Sequence, residues 1–359
     1  MKKLIITIST ALFFLTALTA RQITDMAGRN VTIPDSISRV VPYDNKTNVL
    51  LYPVAREKMI VKARAKVSPD LKYINKDYLR LREIDTRNIE EVIKLHPDII
   101  VVATFVNDLP GLEDYIRFSK KANIPVVFVD LELMHLDKSY QFLGKLFNCQ
   151  EKAEKYSVFL SGIYSMVEDV KKENNSTTVY LANMNNGLRT APVKSRHAQL
   201  FDIMEVRNVA KISQNTDGFA YVSIEQVLLW NPDYIFCLGK SENSPYRTIL
   251  KSSLWQTVDA VKNKKVFFVP SEPYPWFDMP PSVNRVPGLL WLLEVFYGQN
   301  PDIIKTKIIE FYKLFYRKRF PNIFSAKGIK GLIIISRQKT LKMPLGILPA
   351  QIDILSYGS

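Results

Sequence analysis

The sequence predicts an α/β protein of two Rossmann-like lobes, each built on a mostly parallel sheet. Short, nearly continuous apolar runs alternate with helical segments, which is typical of parallel sheets covered on both faces. In addition, a stretch of twelve residues at 89–100 recurs 135 positions later at 224–235, with six identities between the copies. Solenoid repeats recur every 20–50 residues, so a period this long indicates two domains built on one plan.

Both copies read as a short amphipathic helix, a Pro-Asp turn and the start of an apolar strand. The first copy is IEEVIKLHPDII and the second is IEQVLLWNPDYI. We therefore expect the same helix, turn and strand once in each lobe.

The chain of 359 residues has room for two domains of ordinary size. From Lys138 to Lys172 the sequence lacks proline and contains two glycines, which predicts a long rigid helix and not a flexible linker. The predicted division is a signal peptide at 1–20, an N-terminal lobe at 21–145, an interlobe helix at 146–174, a C-terminal lobe at 175–316 and a basic extension at 317–359.

The beginning of the chain resembles an export signal. Lys2 and Lys3 precede an apolar run from Leu4 to Leu18, which is short for a membrane span and suits a signal-peptide core. We expect cleavage near Ala20; an uncleaved anchor is the alternative. No cysteine near the cut is available to carry a lipid.

The net charge of +14 is unevenly distributed. Two lysines lie in the leader, and residues 317–359 carry eight basic residues against one acid, which leaves a mild +5 for the body. No basic stripe with interleaved aromatics occurs there, so nucleic acid is not an expected partner. The extension has no sustained period, which indicates an unrelated or frame-shifted segment; a functional tail is the alternative.

The sequence offers no local catalytic or metal-binding motif. The two cysteines and three histidines lack metal-ligand spacing. No Ser-His-Asp arrangement, phosphate loop or paired carboxylate motif is present, so we predict no catalytic residues and no cofactor.

The remaining predicted elements are also strands and helices of an α/β protein. A β-hairpin is predicted around the Ala-Gly-Arg-Asn turn at 27–30, and a helix is predicted to follow Asp44, which would cap it. Strands are expected at 99–103, 124–129, 178–182 and 265–270, and closing helices at 282–297 and 302–316.

The twin Ile-Glu-x-Val and Pro-Asp-x-Ile segments resemble the class III periplasmic binding proteins of the siderophore, haem and cobalamin uptake group. Further matching stretches are Asp25-Met26-Ala27-Gly28-Arg29, Ile124-Pro125-Val126, Leu254-Trp255, Ala260-Val261-Lys262-Asn263 and Pro280 to Leu293. The resemblance covers residues 23 to about 316. It implies a periplasmic location, a ligand cleft between two lobes joined by one long helix, and little closure on binding. It also implies an inner-membrane ABC permease with its ATPase as partner, and we expect a monomer.

In this family one surface glutamate on each lobe pairs with arginines of the permease. Glu90 and Glu225 hold the matching positions, and Glu91 is an alternative in the first lobe. An acid is favoured at a helix start by the helix dipole alone, so a plain structural role is the competing interpretation.

Loops at the carboxyl ends of strands are expected to line the cleft, as in other open parallel sheets. The candidate ligand-binding residues are Tyr43, Phe105, Asn185, Arg189, Tyr274 and Trp276. Trp276 is the strongest candidate for ligand binding because two prolines bracket its loop. Asp278, Asn284 and Arg285 are expected to hold that loop in place. His197 or Tyr274 is a candidate for direct metal ligation. Ordinary packing or a solvated loop is the alternative for each.

The sequence thus predicts an exported, non-enzymatic binding protein that delivers a metal chelate to an ABC importer. A ferric siderophore leads as ligand, with nickel or cobalt chelates, haem, cobalamin and molybdate as alternatives. The competing classes are a chelatase-like enzyme and a binding module that senses or stores its ligand.

Overall fold

A computed structural model describes residues 19–316, except 66–70, 108, 171–175 and 240–244. Nearly all of the predicted signal peptide and the whole 317–359 extension lie outside the described residues. The described residues form two compact units. The first holds those up to Lys171 together with Pro270–Gly288 and Leu314–Tyr316; the second holds those from Lys172 to Val269 together with Leu289–Lys313.

The first unit is a parallel α/β structure with a hairpin at its start. Its sheet has the order β3-β6-β7, all parallel, and β4 and β5 form a short parallel pair. The hairpin strands β1 and β2 pair antiparallel. In chain order the elements are β1 (Ala20–Thr24), β2 (Asn30–Pro34), β3 (Val40–Pro42), α1 (Asn45–Ala55), β4 (Lys62–Ala63), α2 (Lys76–Arg80), β5 (Glu83–Ile84), α3 (Ile89–Ile93), β6 (Ile99–Thr104), α4 (Glu113–Ala122), β7 (Val126–Asp130), α5 (Leu136–Leu146) and α6 (Gln150–Val170).

The second unit has a parallel sheet of order β10-β8-β12-β13 and an antiparallel pair of β9 and β11. Its elements are β8 (Thr178–Ala182), β9 (Arg189–Thr190), α7 (Gln199–Ile203), β10 (Arg207–Asn208), β11 (Ala220–Tyr221), α8 (Ile224–Trp230), β12 (Tyr234–Cys237), α9 (Pro245–Lys251), α10 (Asp259–Lys262) and β13 (Val266–Phe268). Two closing helices, α11 (Val286–Tyr297) and α12 (Pro301–Tyr316), contain residues of both units. The predicted α/β class with mostly parallel sheets is confirmed.

The repeated stretch has the same order of capped helix, left-handed residue and strand in both units. Helices α3 and α8 are capped by the side chains of Asn88 and Ser223, which each accept a hydrogen bond of 3.2 Å from the backbone three residues on. Each stretch then turns through a left-handed residue, His96 with φ 45° and Asn231 with φ 42°. A left-handed residue commonly terminates a helix, and the proline that follows prevents the helix from continuing.

The Pro-Asp pair of each copy fastens the neighbouring strand. Asp98 Oδ2 accepts hydrogen bonds from the backbone N–H groups of Ser38 (2.7 Å) and Arg39 (2.8 Å), just before β3. Asp233 Oδ2 accepts from the backbone N–H (2.8 Å) and hydroxyl (2.7 Å) of Thr178, the first residue of β8. Each carboxylate therefore satisfies donors at the start of the parallel strand beside its own.

The predicted hairpin is held to β7 by a buried ion pair. Asp25 has a fully buried side chain and lies 2.6 Å from the Arg29 guanidinium. It also accepts hydrogen bonds from the backbone N–H groups of Ala27, Arg29 and Phe128. Arg29 in turn donates to the carbonyl of Val126 (2.8 Å), so the hairpin turn is locked onto the strand.

Helix α6 is shorter than the predicted interlobe helix at 146–174. It begins at Gln150, because Asn148 adopts a left-handed φ of 54° and separates it from α5. It packs within the first unit against α5, burying the face that contains Tyr156, Leu160 and Ile163. Residues 171–175 lie outside the described part, so its role as a connector stays a prediction.

The segment Pro270–Gly288, which the sequence assigns to the C-terminal lobe, belongs to the first unit. Glu272 pairs with Lys72 (2.7 Å) and accepts a hydrogen bond from the Tyr73 hydroxyl. Ser282 donates to the carbonyl of Lys46. These polar contacts tie the returning segment to the elements around β3 and α2.

Candidate functional site

Three strands of the first unit, each paired in parallel with a neighbour, end at one pocket. The loops after β3, β4 and β5 line it, together with two residues of the returning segment, and it encloses about 720 Å³. We call it the Tyr43 pocket; it is lined by Tyr43, Asp44, Asn45, Lys46, Ala63, Arg64, Ala65, Asp85, Thr86, Arg87, Met279 and Pro280. The carboxyl edge of a parallel sheet is where open α/β folds bind ligands.

Local hydrogen bonds fix the loop that carries Tyr43. Asp44 caps α1 as predicted, accepting a hydrogen bond of 3.0 Å from the Thr47 backbone N–H. The Thr86 hydroxyl donates to the carbonyl of Tyr43. The Tyr43 ring packs edge-on against Tyr115, with ring centroids 4.8 Å apart, and burial raises the pKa of its phenol. Its hydroxyl forms no hydrogen bond with any other described residue.

The pocket carries three cationic and two anionic side chains. Lys46 lies 3.1 Å from Asp44, and Arg87 lies 2.8 Å from Asp85. The hydrogen bonds from Arg87 lower the pKa of Asp85 to about 2. Arg64 is exposed, and its guanidinium forms no ion pair within the described residues. The lining thus has one cation in excess, which suits an anionic solute.

The other candidates in the first unit are buried. Phe105 follows β6 and is 9% exposed, while Tyr274 and Trp276 are 4% and 2% exposed. Burial raises the pKa of Tyr274. The predicted brace is confirmed for Asn284, whose side-chain amide donates to the carbonyl of Pro275. Within the first unit these aromatic rings contact protein, and solute binding by them stays a prediction.

Two candidates in the second unit, Arg189 and His197, cluster around Phe219. Arg189 lies over the Phe219 ring at 3.8 Å and pairs with Asp217 at 2.7 Å. His197 stacks on Phe219 with centroids 4.2 Å apart, and its Nε2 donates to the carbonyl of Asp217 at 3.0 Å. A solute anion at Arg189 would therefore compete with Asp217. Asn185 is exposed in the loop after β8.

Nothing in the described part of the chain gathers three or more histidine, cysteine, aspartate or glutamate side chains in a geometry that would hold a metal ion. His197 therefore belongs to no such group there, and its Nε2 is already engaged with a carbonyl.

Glu90 and Glu225 occupy equivalent places in the repeated helices. Both lie in the first turn after the cap, and both are exposed. Neither carboxylate forms an ion pair with another described residue. Hydrogen bonds from its own backbone N–H and from the Ser223 hydroxyl lower the pKa of Glu225. By contrast, Glu91 is partly buried and pairs with Arg82 at 3.3 Å.

Sequence reasoning missed the cations of the Tyr43 pocket. Arg64 and Arg87 follow β4 and β5, which are strands of two residues each and leave no period in the sequence. The one available signal was the proximity of basic residues to short apolar runs, which is common on any protein surface.

None of the helices that the structure describes combines the length and apolarity needed to cross a membrane.

Comparison with known proteins gives consistent results. Residues 40–273 match the family described as periplasmic binding protein. Molybdate-binding protein MolA of Haemophilus influenzae is 26% identical, in an alignment covering 89% of this chain and 97% of MolA. Petrobactin-binding protein YclQ of Bacillus subtilis is 25% identical, covering 67% of this chain and 76% of YclQ.

Solved structures support the same fold. An ABC transporter solute-binding protein from Sulfurospirillum deleyianum superposes with a TM-score of 0.74 at 24% identity, covering 84% of this chain and 97% of that one. The family match spans well over half of the sequence, and the class III resemblance seen in the twin segments is confirmed. The chain belongs to the periplasmic binding protein family.

Proposed function

We propose that this protein is the solute-binding component of an ABC importer and that its solute is a ferric siderophore. The Tyr43 pocket is the observation that carries the choice of solute. It lies at the carboxyl ends of β3, β4 and β5, where an aromatic edge, a guanidinium without an ion pair among the described residues and a surplus of positive charge converge.

The size of the pocket favours a chelate over a bare ion. Pockets of roughly 300–1,000 Å³ accommodate drug-sized organic molecules, and the Tyr43 pocket has about 720 Å³. An iron chelate with catecholate or carboxylate arms presents flat surfaces and negative charge. The flat surfaces can pack against the Tyr43 ring, and the negative charge can accept paired hydrogen bonds from the planar Arg64 guanidinium.

The relatives divide between two solute classes. The name of YclQ assigns it petrobactin, a siderophore, which agrees with the proposal. The name of MolA assigns it molybdate, and the MolA alignment spans nearly the whole of both chains. That observation makes a molybdate-type oxyanion the second candidate, since Arg64 suits a tetrahedral anion as well.

Calorimetric titration of the purified protein separates the two candidates. The probes are a ferric tris-catecholate siderophore, ferric citrate and sodium molybdate, each also added to protein already saturated with another. We expect saturable binding of a ferric chelate and none of molybdate. Binding of molybdate alone would overturn the siderophore assignment and leave the importer role in place.

Non-enzymatic delivery is part of the proposal, since the named relatives are binding proteins and not enzymes. The chelatase alternative predicts turnover of a bound tetrapyrrole. Incubation with excess porphyrin and a divalent metal, followed by absorption spectroscopy, should leave the porphyrin spectrum unchanged. Metal insertion above the protein-free rate would favour an enzyme.

We further propose that Glu90 and Glu225 dock on the permease. Three observations support this role: the two acids hold equivalent positions in the repeat, both are exposed, and neither is used in an ion pair with another described residue. An unpaired surface acid is available to a cation of the partner. Export to the periplasm, where such docking takes place, remains a prediction of the leader sequence.

The double variant Glu90→Ala/Glu225→Ala tests docking. Solute uptake by cells should fall at least about tenfold, because two charge pairs of the complex are lost, while the Kd for solute stays within twofold of the wild type. The matched control is Glu113→Ala/Asp302→Ala, which removes one exposed first-turn acid outside the repeat from each of α4 and α12. Unchanged uptake in the first double variant would exclude docking through these acids.

A further inference from the structure

Helices α3 and α8 share an exposed acid, but the surfaces beside the two acids differ. We propose that the second unit binds the permease through an apolar patch around Glu225, whereas the first unit surrounds Glu90 with polar residues and one less exposed apolar side chain, Ile93 at 39%. The partner for the second unit is a permease segment that places a basic side chain between apolar ones. This inference rests on the proposed docking role of Glu225.

The repeat supplies an internal comparison, position by position. In the second unit, Tyr221 and Leu229 stand four residues before and four residues after Glu225. The matching positions around Glu90 are Thr86 and Lys94. The two copies agree from the cap to the strand, so Leu229 and Lys94 are equivalent in space as well as in sequence, whereas Tyr221 and Thr86 lie before the caps and match in sequence.

Leu229 faces solvent on the same side of α8 as the acid, and Tyr221 is exposed just before the helix. Glu225 and Leu229 are separated by one helical turn and share a face of α8, while Val227 is buried on the opposite face. Leu229 is 79% exposed and Tyr221 is 63% exposed, the two highest values among the large apolar side chains that the structure describes. In the first unit, the matching Thr86 is buried and the matching Lys94 is a charged, exposed residue.

A groove at the start of α8 extends the patch. It encloses about 580 Å³ and is lined by Ile212, Tyr221, Ser223 and Gln226, among others. Ile212 is itself partly exposed. A concave surface beside Tyr221 can receive an apolar side chain from a partner.

A further exposed apolar residue, Leu254, lies on a segment next to α8. It belongs to a 3-10 turn, Ser253–Thr257, that contacts α8. Isolated exposed apolar residues are ordinary on protein surfaces and need no partner. Here Leu229 lies on α8, and Tyr221, Ile212 and Leu254 lie on segments next to it. The first turn of that helix exposes an acid without an ion pair among the described residues.

The permease segment that binds this patch must supply both a cation and apolar side chains. Glu225 attracts a cation, and burial of Tyr221 and Leu229 beside it excludes water and strengthens that attraction. Loss of the apolar flanks should therefore weaken docking without removing its dependence on salt, because the charge pair remains.

The test uses the permease with its ATPase in lipid nanodiscs and measures the concentration of solute-loaded binding protein that gives half-maximal ATP hydrolysis. The variant Tyr221→Thr/Leu229→Gln should raise this concentration roughly tenfold, as expected for two lost apolar contacts. Its dependence on salt should match the wild type. The control Val158→Gln alters an exposed valine on α6 in the same way and should have no effect. Thermal melting and solute titration check that each variant is folded and loaded.

A parallel Glu225→Gln variant separates the two hypotheses. If Glu225→Gln weakens docking and reduces its salt dependence while the apolar variant equals the wild type within twofold, the apolar patch is overturned and docking through Glu225 stands. If neither variant changes ATP hydrolysis, docking through Glu225 fails and the patch fails with it. A fall in solute affinity in the apolar variant would also overturn the patch, because it would place these residues in solute binding.

Discussion

The ion pair between Asp25 and Arg29 should be among the most costly polar contacts to remove. The Asp25 side chain is completely buried and accepts hydrogen bonds from three backbone N–H groups as well as from the guanidinium. Replacing Asp25 by alanine leaves these donors without an acceptor. It also leaves Arg29 stacked over Phe128, at 4.1 Å from the ring centroid, without its counter-charge.

The expected magnitude follows from burial. Breaking a buried ion pair by removing one partner costs roughly 3–5 kcal/mol, since the remaining charge is uncompensated. The Arg29 side chain is 27% exposed, so the cost should lie near the lower end of this range. At about 2–4 °C per kcal/mol for a domain of this size, Asp25→Ala should lower the Tm by on the order of 10 °C. Asp25→Asn keeps the shape and part of the hydrogen bonding, so its loss should be smaller.

The chain offers a matched control in Asp114 and Arg117. Their distance is also 2.6 Å, but the Asp114 side chain is 86% exposed. Surface pairs contribute at most about 1 kcal/mol, so Asp114→Ala should shift the Tm by a few degrees or less.

Urea and thermal unfolding without solute, followed by circular dichroism, measure both variants. Equal, small losses for Asp25→Ala and Asp114→Ala would refute the argument that burial determines the value of this pair.

Three further outcomes are expected. Arg64→Ala should weaken binding of the anionic solute about tenfold or more in calorimetry, whereas Arg80→Ala, at an exposed pair outside the pocket, should leave it unchanged. Gly288→Ala should lower the free energy of unfolding in urea by several kcal/mol, because the new Cβ would lie 2.4 Å from a backbone carbonyl oxygen. As a control, Gly162→Ala places its Cβ in open space and should stabilise α6 by about 0.5–1 kcal/mol. The hydrogen bond from Arg189 lowers the pKa of Asp217 below its ordinary value of 3.8. The Tm of the wild type should therefore exceed that of Asp217→Asn above pH 3.8, and the difference should vanish as the pH falls below that value.

The repeat made much of the fold predictable. Its pattern of helix, turn and strand is local, and each copy carries its own cap and its own left-handed turn residue. Asp44 was predictable as a cap for the same reason, since its acceptor role involves a donor three residues away. The break between α5 and α6 was not, because asparagine at 148 is compatible with a helix and becomes left-handed only through its surroundings.

The candidate site was less predictable because burial depends on distant parts of the chain. The prolines around Trp276 indicate a loop, as the structure has it, but the nearly complete burial of the side chain leaves no mark on the local sequence. Gly288, which lets the backbone of Trp276 approach α11, gives no sign of that contact in the sequence. Conversely, Arg64 lines the pocket through a strand pair too short to leave a pattern.

The geometry of the repeat explains why an acid at its second position is suited to docking. A cap at the start of each helix fixes the first turn, where Glu90 and Glu225 lie. The turn that follows leads directly to Asp98 or Asp233, each of which is bonded to the start of the neighbouring strand. Only short, hydrogen-bonded segments therefore separate the exposed acid from the sheet of its own unit. A contact made at either acid therefore acts on a helix that is linked to its sheet through few residues. The fold presents the same charge after the same cap in both units, while the flanking residues make the two surfaces different.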